Sequence, residues 1–297
     1  MAVYKNGNTI VLIKSDGTKI RYTPDNVIAN PQFPESIDLK ITNCCSVGCP
    51  ACHECSTPDG AHGNLDHPIL DSLKPYTELA IGGGDPMSHP GLEAFLKKMK
   101  DKEVFCNITV HWTSFRDNYP VLKRWTKESL IHGLGISINE VIPEEIIDKI
   151  TEFPLAVVHS IIGVANPPVF AQLVNRNLNI LLLGYKTFGR GVGYKQDNSE
   201  SVGVRMNWVH EHIRKFPEKF RTVAFDNKAI DQVFLKEMLD PETFDRIYMG
   251  NDGSFTMYVD LVKGEYAASS VSPRKTIDSN DITKLFETIK TSGGSAF

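Results

Sequence analysis

A chain of 297 residues is long enough for two ordinary domains or for one α/β barrel. Apolar residues make up 41%, and 32 Lys plus Arg against 36 Asp plus Glu leave a net charge of −4, so bulk charge does not draw the chain to nucleic acid or an anionic membrane, while a local basic patch stays open. No apolar run reaches the ~18 residues of a membrane span, and the opening MAVYKNGNTI lacks the segments of a secretory signal, which excludes a membrane-embedded chain and predicts a cytoplasmic one.

Residues 1–24 read as a small β-meander. Asn6-Gly7 and Asp16-Gly17 are hairpin turn signals beside the apolar run 10–13 and the alternating Lys19-Ile20-Arg21-Tyr22. Residues 25–35 hold two prolines and little periodicity and read as a linker. Residues 1–35 are thus an N-terminal β-hairpin element and linker. Strands are then predicted at 36–42, 78–81, 105–110, 134–138, 156–162, 180–183 and 222–225. Several are nearly continuous apolar runs, as expected of strands buried on both faces. Helices fall between them. Leu92, Phe95, Leu96 and Met99 have i, i+3, i+4, i+7 spacing, and Pro143-Glu144-Glu145 opens a helix carrying Ile146, Ile147 and Ile150. Stretches 168–177 and 206–216 are two more. Alternating β and α implies a parallel sheet with right-handed crossovers. Six or seven units predict an α/β fold, a partial (β/α)6 TIM-like barrel over residues 36–226. Beyond it, 229–239 reads as a helix, 247–266 as a hairpin about Asn251-Asp252-Gly253, and 282–289 as a terminal helix. Residues 227–297 then form a C-terminal α/β cap or extension.

Five of six cysteines lie within twelve residues: Cys44, Cys45, Cys49, Cys52 and Cys55; Cys106 stands alone. Such crowding staples a fold poorly and ligates metal well, and a cytosolic chain keeps its thiols reduced. Cys45, Cys49 and Cys52 have the spacing C-x3-C-x2-C directly after the first strand of the alternating region. In a parallel sheet that loop sits at the C-terminal strand edge, where ligands bind. Three thiolates are one short of a closed zinc site or a four-cysteine cluster, and on a cubane they leave one iron open. Two alternatives stand beside this: a structural zinc site that adds Cys55, and a ferredoxin pattern through Cys49, Cys52 and Cys55 that lacks its downstream Cys-Pro. Cys44 and Cys55 read as neighbours and Cys106 as a small core residue.

The C-x3-C-x2-C loop resembles the signature of the radical S-adenosylmethionine (radical SAM) superfamily, and the resemblance spans residues 36 to about 225. It implies that Cys45, Cys49 and Cys52 hold one [4Fe–4S] cluster whose open iron chelates S-adenosylmethionine (SAM). It further implies reductive cleavage of SAM to a 5′-deoxyadenosyl radical that abstracts hydrogen from substrate, with an external reductant such as flavodoxin or ferredoxin. The position before the third cysteine, aromatic in the family, is Ala51 here. Gly82-Gly83-Gly84-Asp85-Pro86 resembles the family's Gly-Gly-Glu-Pro motif, which implies that Gly83, Gly84 and Asp85 meet the methionyl end of SAM. Asp for Glu keeps the charge and shortens the reach. Ser137 and Asn139 alternate with apolar residues and face one side. The resemblance sets them near the ribose or carboxylate of SAM; a strand end capped by water is the alternative. Gly163 lies in a segment resembling the one that offers backbone groups to adenine.

Lys186 and Arg190 form a basic pair in a glycine-rich loop, suited to a carboxylate or phosphate or simply exposed. His111, followed by Trp112, is a candidate lining residue of the substrate cavity, against the commoner structural role of a lone histidine. His53, His62 and His67 read as solvated. The C-terminal part is similar to the extension of radical SAM enzymes that modify peptides, but residues 107–297 contain no cysteine, which implies a single cluster. The expected function is radical SAM modification of a peptide or protein side chain. The alternatives are modification of a nucleotide or nucleic-acid base and, in another class, a zinc- or iron–sulfur-stabilised binding protein.

Overall fold

The computed structural model describes residues 2–24 and 27–293, so Asp25 and Asn26 of the expected linker lie outside the described residues. Strands β1 (Ala2–Asn6), β2 (Thr9–Ile13) and β3 (Lys19–Tyr22) form the antiparallel meander. Gly7 turns at φ 63°, where a side chain would strike the Asn30 carbonyl. Residues 28–33 of the expected linker are hydrogen-bonded to this meander. Asn6 bonds the backbone of Gln32 and Phe33 at 2.8 and 2.9 Å, and Asn8 bonds that of Ile28 and Asn30 at 2.8 Å each.

Seven parallel strands follow in sequential order: β4 (Ser36–Thr42), β5 (Glu78–Gly83), β6 (Phe105–His111), β7 (Gly133–Ser137), β8 (Ala156–Ile161), β9 (Asn179–Leu183) and β10 (Thr222–Phe225). The crossovers carry α1 (Leu92–Asp101), α2 (Trp112–Lys127), α3 (Glu144–Thr151), α4 (Pro167–Leu173), α5 (Arg190–Asp197) and α6 (Ser199–His212). Helix α2 escapes sequence reading because Pro120 interrupts it and its buried apolar residues, Phe115, Leu122 and Trp125, are sparse.

The strands are not apolar on both faces. Ile81, Ile108, Ile136, Val158 and Leu182 share one core with Leu92, Phe95, Ile146 and Phe170 of the helices. Residues alternate with these in β6 and β8, and the other face bears half-buried Asn107, Thr109, His111, Ser137 and His159. That polar face is the lumen of the partial barrel.

Past β10 come α7 (Asn227–Gln232), α8 (Leu235–Met238), α9 (Pro241–Ile247), β11 (Thr256–Asp260), β12 (Glu265–Ala267), β13 (Lys275–Thr276) and α10 (Ile282–Gly293). The expected helix at 229–239 is broken at Phe234, which takes φ 53°. The expected hairpin is displaced: β11 and β12 turn through residues 261–264, with Gly264 at φ 67°, while Asn251-Asp252-Gly253 precedes β11. Strand β11 pairs in parallel with β4, so one ten-stranded sheet runs β10-β9-β8-β7-β6-β5-β4-β11-β12-β13 and does not close. Among the described residues no helix is long and apolar enough to cross a membrane.

The meander is joined to the barrel through Glu35, wholly buried, whose Oε2 accepts from Arg21 Nε at 2.9 Å with Lys19 Nζ 3.7 Å away. Replacing Glu35 by Ala leaves the largely buried Arg21 guanidinium without its carboxylate, while Lys19 keeps Glu78 at 2.5 Å, and should cost about 3 kcal/mol in urea unfolding. Combined with Arg21→Ala, it should cost clearly less than the sum of the singles; simple additivity would show that the pair carries no coupling.

Candidate functional site

The five clustered cysteines occupy a loop that leaves β4 and returns beside it. Its neck is closed by Asn43 N–H to the Ala61 carbonyl and Cys45 N–H to the Thr57 carbonyl, both 2.8 Å. Gly60 lies so close to Asn43 that any Cβ would overlap its carbonyl. Inside the neck Cys45, Cys49 and Cys52 are half-buried. Burial pushes the Cys49 thiol up to about 11, and neighbouring Cys52 and Cys45 add to it. Cys45 is raised by burial as well, with Asp85 and Cys52 adding to it. The three thiols therefore lie within one another's field. Cys44 instead directs its thiol to the Pro58 carbonyl at 3.1 Å, and Cys55 is exposed at φ 51°. Cys106 is a core residue of β6, its thiol raised to about 12 by burial. Among the described residues no three Cys, His, Asp or Glu side chains close on a single metal ion.

Two clasps fix the loop. Lys40, 5% exposed, reaches Glu54 Oε2 at 2.6 Å and Asp260 Oδ2 at 3.3 Å. Glu54 Oε1 lies 3.2 Å from Tyr258 Oη and 3.4 Å from His53 Nε2. Burial opposes its ionisation, yet His53 and Lys40 hold its carboxyl well below the usual range. His53 itself is lowered by burial. The second clasp is Arg190: its N–H donates to Cys52 O, Nε to Cys49 O and Nη1 to Ser56 O, each at 3.0 Å. The expected carboxylate or phosphate ligand of Arg190 is therefore displaced by the cysteine loop's own carbonyls. Of the three loop histidines His62 is exposed, as expected, with Nδ1 2.8 Å from Thr42 Oγ1, whereas His53 and His67 are half-buried: His53 faces Glu54, and His67 caps the turn at Pro68–Ser72.

Gly83 and Gly84 border the loop for a reason internal to the chain. A Cβ on Gly83 would meet the Thr42 carbonyl at 2.4 Å, and one on Gly84 the Cys44 carbonyl at 2.3 Å. Both glycines are needed to bring β5 against the loop, whatever else binds there. Gly84 and Asp85 N–H groups donate to Thr42 O and Cys44 O at 2.7 and 2.8 Å. The Asp85 carboxylate accepts from Met87 N–H at 3.1 Å and Ser114 Oγ at 2.9 Å, which orients it beside Cys45. Ser137 ends β7 in one row with His111 and His159. Asn139 Oδ1 accepts from Ile161 N–H at 2.7 Å and so braces β8. Gly163, at φ 84°, packs against Val202 and Met206 of α6. His111 Nδ1 accepts from Thr113 N–H and caps α2, which leaves Nε2 for other contacts.

The lumen beneath the loop holds residues that sequence reading passed over. Asp38, on the same face as Lys40, makes no side-chain hydrogen bond among the described residues. Water reaches it, but desolvation by the surrounding walls raises its pKa; Lys186 opposes this, and Asp252 and Asp226 add to it. Lys186 Nζ is held 2.9 Å from Ser270 Oγ, and Ser270 O accepts from Arg274 at 2.7 Å. A groove of about 920 Å³ on the side of α7 and α9 includes Asp252 in its wall. The signal in the sequence was the i, i+2 spacing of Asp38 and Lys40 in an otherwise apolar strand.

Lys40→Met should cost about 3–5 kcal/mol in urea unfolding, because it leaves Glu54 and Asp260 buried without a counter-charge. A loss below 1 kcal/mol would show the clasp to be idle. His159 gives a pH test. Burial lowers it from 6.5 to about 4, so its contribution is complete above pH 6.5 and is lost as pH falls toward 4. His159→Gln should flatten the stability–pH slope in that window by up to about 1.4 kcal/mol per pH unit. An unchanged slope would show the imidazole to be freely protonated.

No family model matches the chain, and no curated protein matches it. Solved structures do. SuiB of Streptococcus suis bound to the precursor peptide SuiA superposes with a TM-score of 0.58 at 12% identity, over 90% of this chain and 68% of that one. SuiB bound to S-adenosylmethionine gives 0.57 at 13% identity, over 90% and 69%. At these identities the likeness is one of fold, the open α/β barrel with its flanking elements.

Proposed function

We propose that this chain is a radical SAM enzyme acting on a peptide side chain. The observation that carries the reading is the convergence of Cys45, Cys49 and Cys52, without Cys44 or Cys55, on the loop at the C-terminal end of β4. The donor set fits a [4Fe–4S] cluster. A closed structural zinc site would need a fourth protein ligand, and the two nearest further thiols are turned elsewhere, Cys44 to the Pro58 carbonyl and Cys55 to solvent; a [4Fe–4S] cluster would be held by the three alone. When bound, the cluster with SAM on its open iron supplies reductive SAM cleavage and a 5′-deoxyadenosyl radical.

The chain's own residues have separate tasks in this reading. Gly83 and Gly84 draw the β5 edge against the cysteine loop, and Asp85, oriented by Ser114, takes the ammonium of SAM. Ser137 lies in the same lumen row as His111 and His159 and meets the polar side of SAM. Asn139 and Gly163 contribute by shaping the ends of β7 and β8, leaving backbone groups to meet the nucleoside. Lys186 and Asp38 are charged groups of the lumen open to substrate, and His111 offers Nε2. Flavodoxin or ferredoxin provides the electron in the reducing cytoplasm.

A peptide substrate is supported by the fold shared with SuiB, which was captured with a precursor peptide, and by the groove running past Asp252. The nucleotide reading is weakened because Arg190 is spent on carbonyls and leaves Lys186 alone of the basic pair.

Anaerobic reconstitution followed by SAM and dithionite should yield 5′-deoxyadenosine. A colourless zinc protein that leaves SAM intact would end the proposal. Iron analysis should give about four irons per chain. Single Cys→Ala changes at 45, 49 and 52 should each remove the brown colour, while Cys44→Ala and Cys55→Ala keep it. Roughly eight irons, or loss of iron in Cys55→Ala, would contradict the single three-cysteine site.

A further inference from the structure

Arg190 was expected to meet substrate, and the structure gives it other partners. Its three donors go to the carbonyls of Cys49, Cys52 and Ser56, an arc that spans the second and third proposed ligands and the loop's return. The fit is tight on both flanks. A Cβ on Gly189 would come within 3 Å of His53 O, Cys55 Sγ and Cys52 O, and one on Gly191 within 2.4 Å of Lys186 O. Gly189 also takes φ 53°. Among the described residues no salt bridge pairs Arg190 with a carboxylate, and its side chain is met by carbonyl dipoles of the cysteine loop.

We infer that Arg190 is a positioning residue that fixes the curvature of the cysteine loop and raises the reduction potential of the cluster it holds. The inference rests on the radical SAM reading above. Three thiolates on a cubane make the site anionic, and reduction adds a further negative charge. A fixed cation hydrogen-bonded into the loop stabilises the reduced state more than the oxidised one, which raises the potential. The planar fork is what lets one side chain reach two carbonyls seven residues apart in sequence. A lysine keeps the charge but cannot span both, and a glutamine has neither the charge nor the reach.

The test compares R190K and R190Q with wild type after anaerobic reconstitution. It reads iron retention under chelator challenge and the midpoint potential by titration followed with electron paramagnetic resonance. R190Q should lose iron about 10-fold faster or more, and its potential should fall. R190K should lose iron faster than wild type but keep a potential close to it. Circular dichroism of the iron-free proteins checks folding. Should R190Q fail to fold, R190K alone decides, and wild-type iron retention in it overturns the clasp. R190Q with wild-type retention and potential overturns the inference, as does a changed substrate KM with both unchanged. If wild type itself binds no four-iron cluster, the radical SAM reading fails first, and the two failures are distinguishable.

Discussion

The buried Lys40 ammonium stands where three separate pieces of the chain meet. It projects from β4, and its partners are Glu54 of the cysteine loop and Asp260 of β11. An ammonium this deep is unfavourable alone, and so are two carboxylates. Together they are tolerable only in one arrangement, since displacing any member strands the others. A buried network of this kind contributes less to net stability than its contact distances suggest, but it penalises misplacement heavily. Here the penalised misplacement is that of the loop carrying Cys45, Cys49 and Cys52. The C-terminal segment is thus part of what shapes the loop: β11 brings both Asp260 and Tyr258 to it, and Tyr258 reaches the other oxygen of Glu54.

The division of the sheet into two faces follows from the same economy. Helices cover the face that holds Ile81, Ile108, Ile136 and Val158, and dispersion with apolar burial settles their packing. The lumen has no such cover, and its positions carry Asp38, Asn107, Thr109 and His159. Glycine has a particular use at the boundary between these regions. Gly83, Gly84 and Gly189 each allow a strand end or loop to touch the cysteine loop's carbonyls where a side chain would collide. A glycine-rich motif at a strand end thus serves the contact of protein with protein before it serves any ligand.

Much of this fold was legible in the sequence. The strands Ser36–Thr42 and Thr222–Phe225 match their predicted bounds residue for residue, because a strand between turn residues has sharp chemical borders. Helix α1 was equally plain, since Leu92, Phe95, Leu96 and Met99 are all buried. Helix α2 was not, because Pro120 and a polar surface mask its period. The C-terminal hairpin was misplaced because Asn251-Asp252-Gly253 is turn-forming wherever it falls, and no local signal tells a turn between paired strands from a turn before one. In the site, the crowding and spacing of the cysteines were plain to read. The roles of Arg190, Glu54 and Lys40 were not, because each depends on partners far off in the chain: 14 residues separate Lys40 from Glu54, and 204 separate Glu54 from Tyr258.

That long-range dependence also joins the two halves of the site. Lys186 and Arg190 lie four residues apart at the end of β9. The first is held toward the lumen by Ser270, and the second grips the carbonyls of the cysteine loop. On either side of Arg190 the backbone is confined by Gly189 and Gly191, which admit no side chain, while Tyr185 Oη anchors the Gly191 carbonyl at 2.5 Å. One short segment thus carries both a lysine of the lumen and the side chain that grips the cysteine loop, and its tight packing fixes where each of them starts from the backbone.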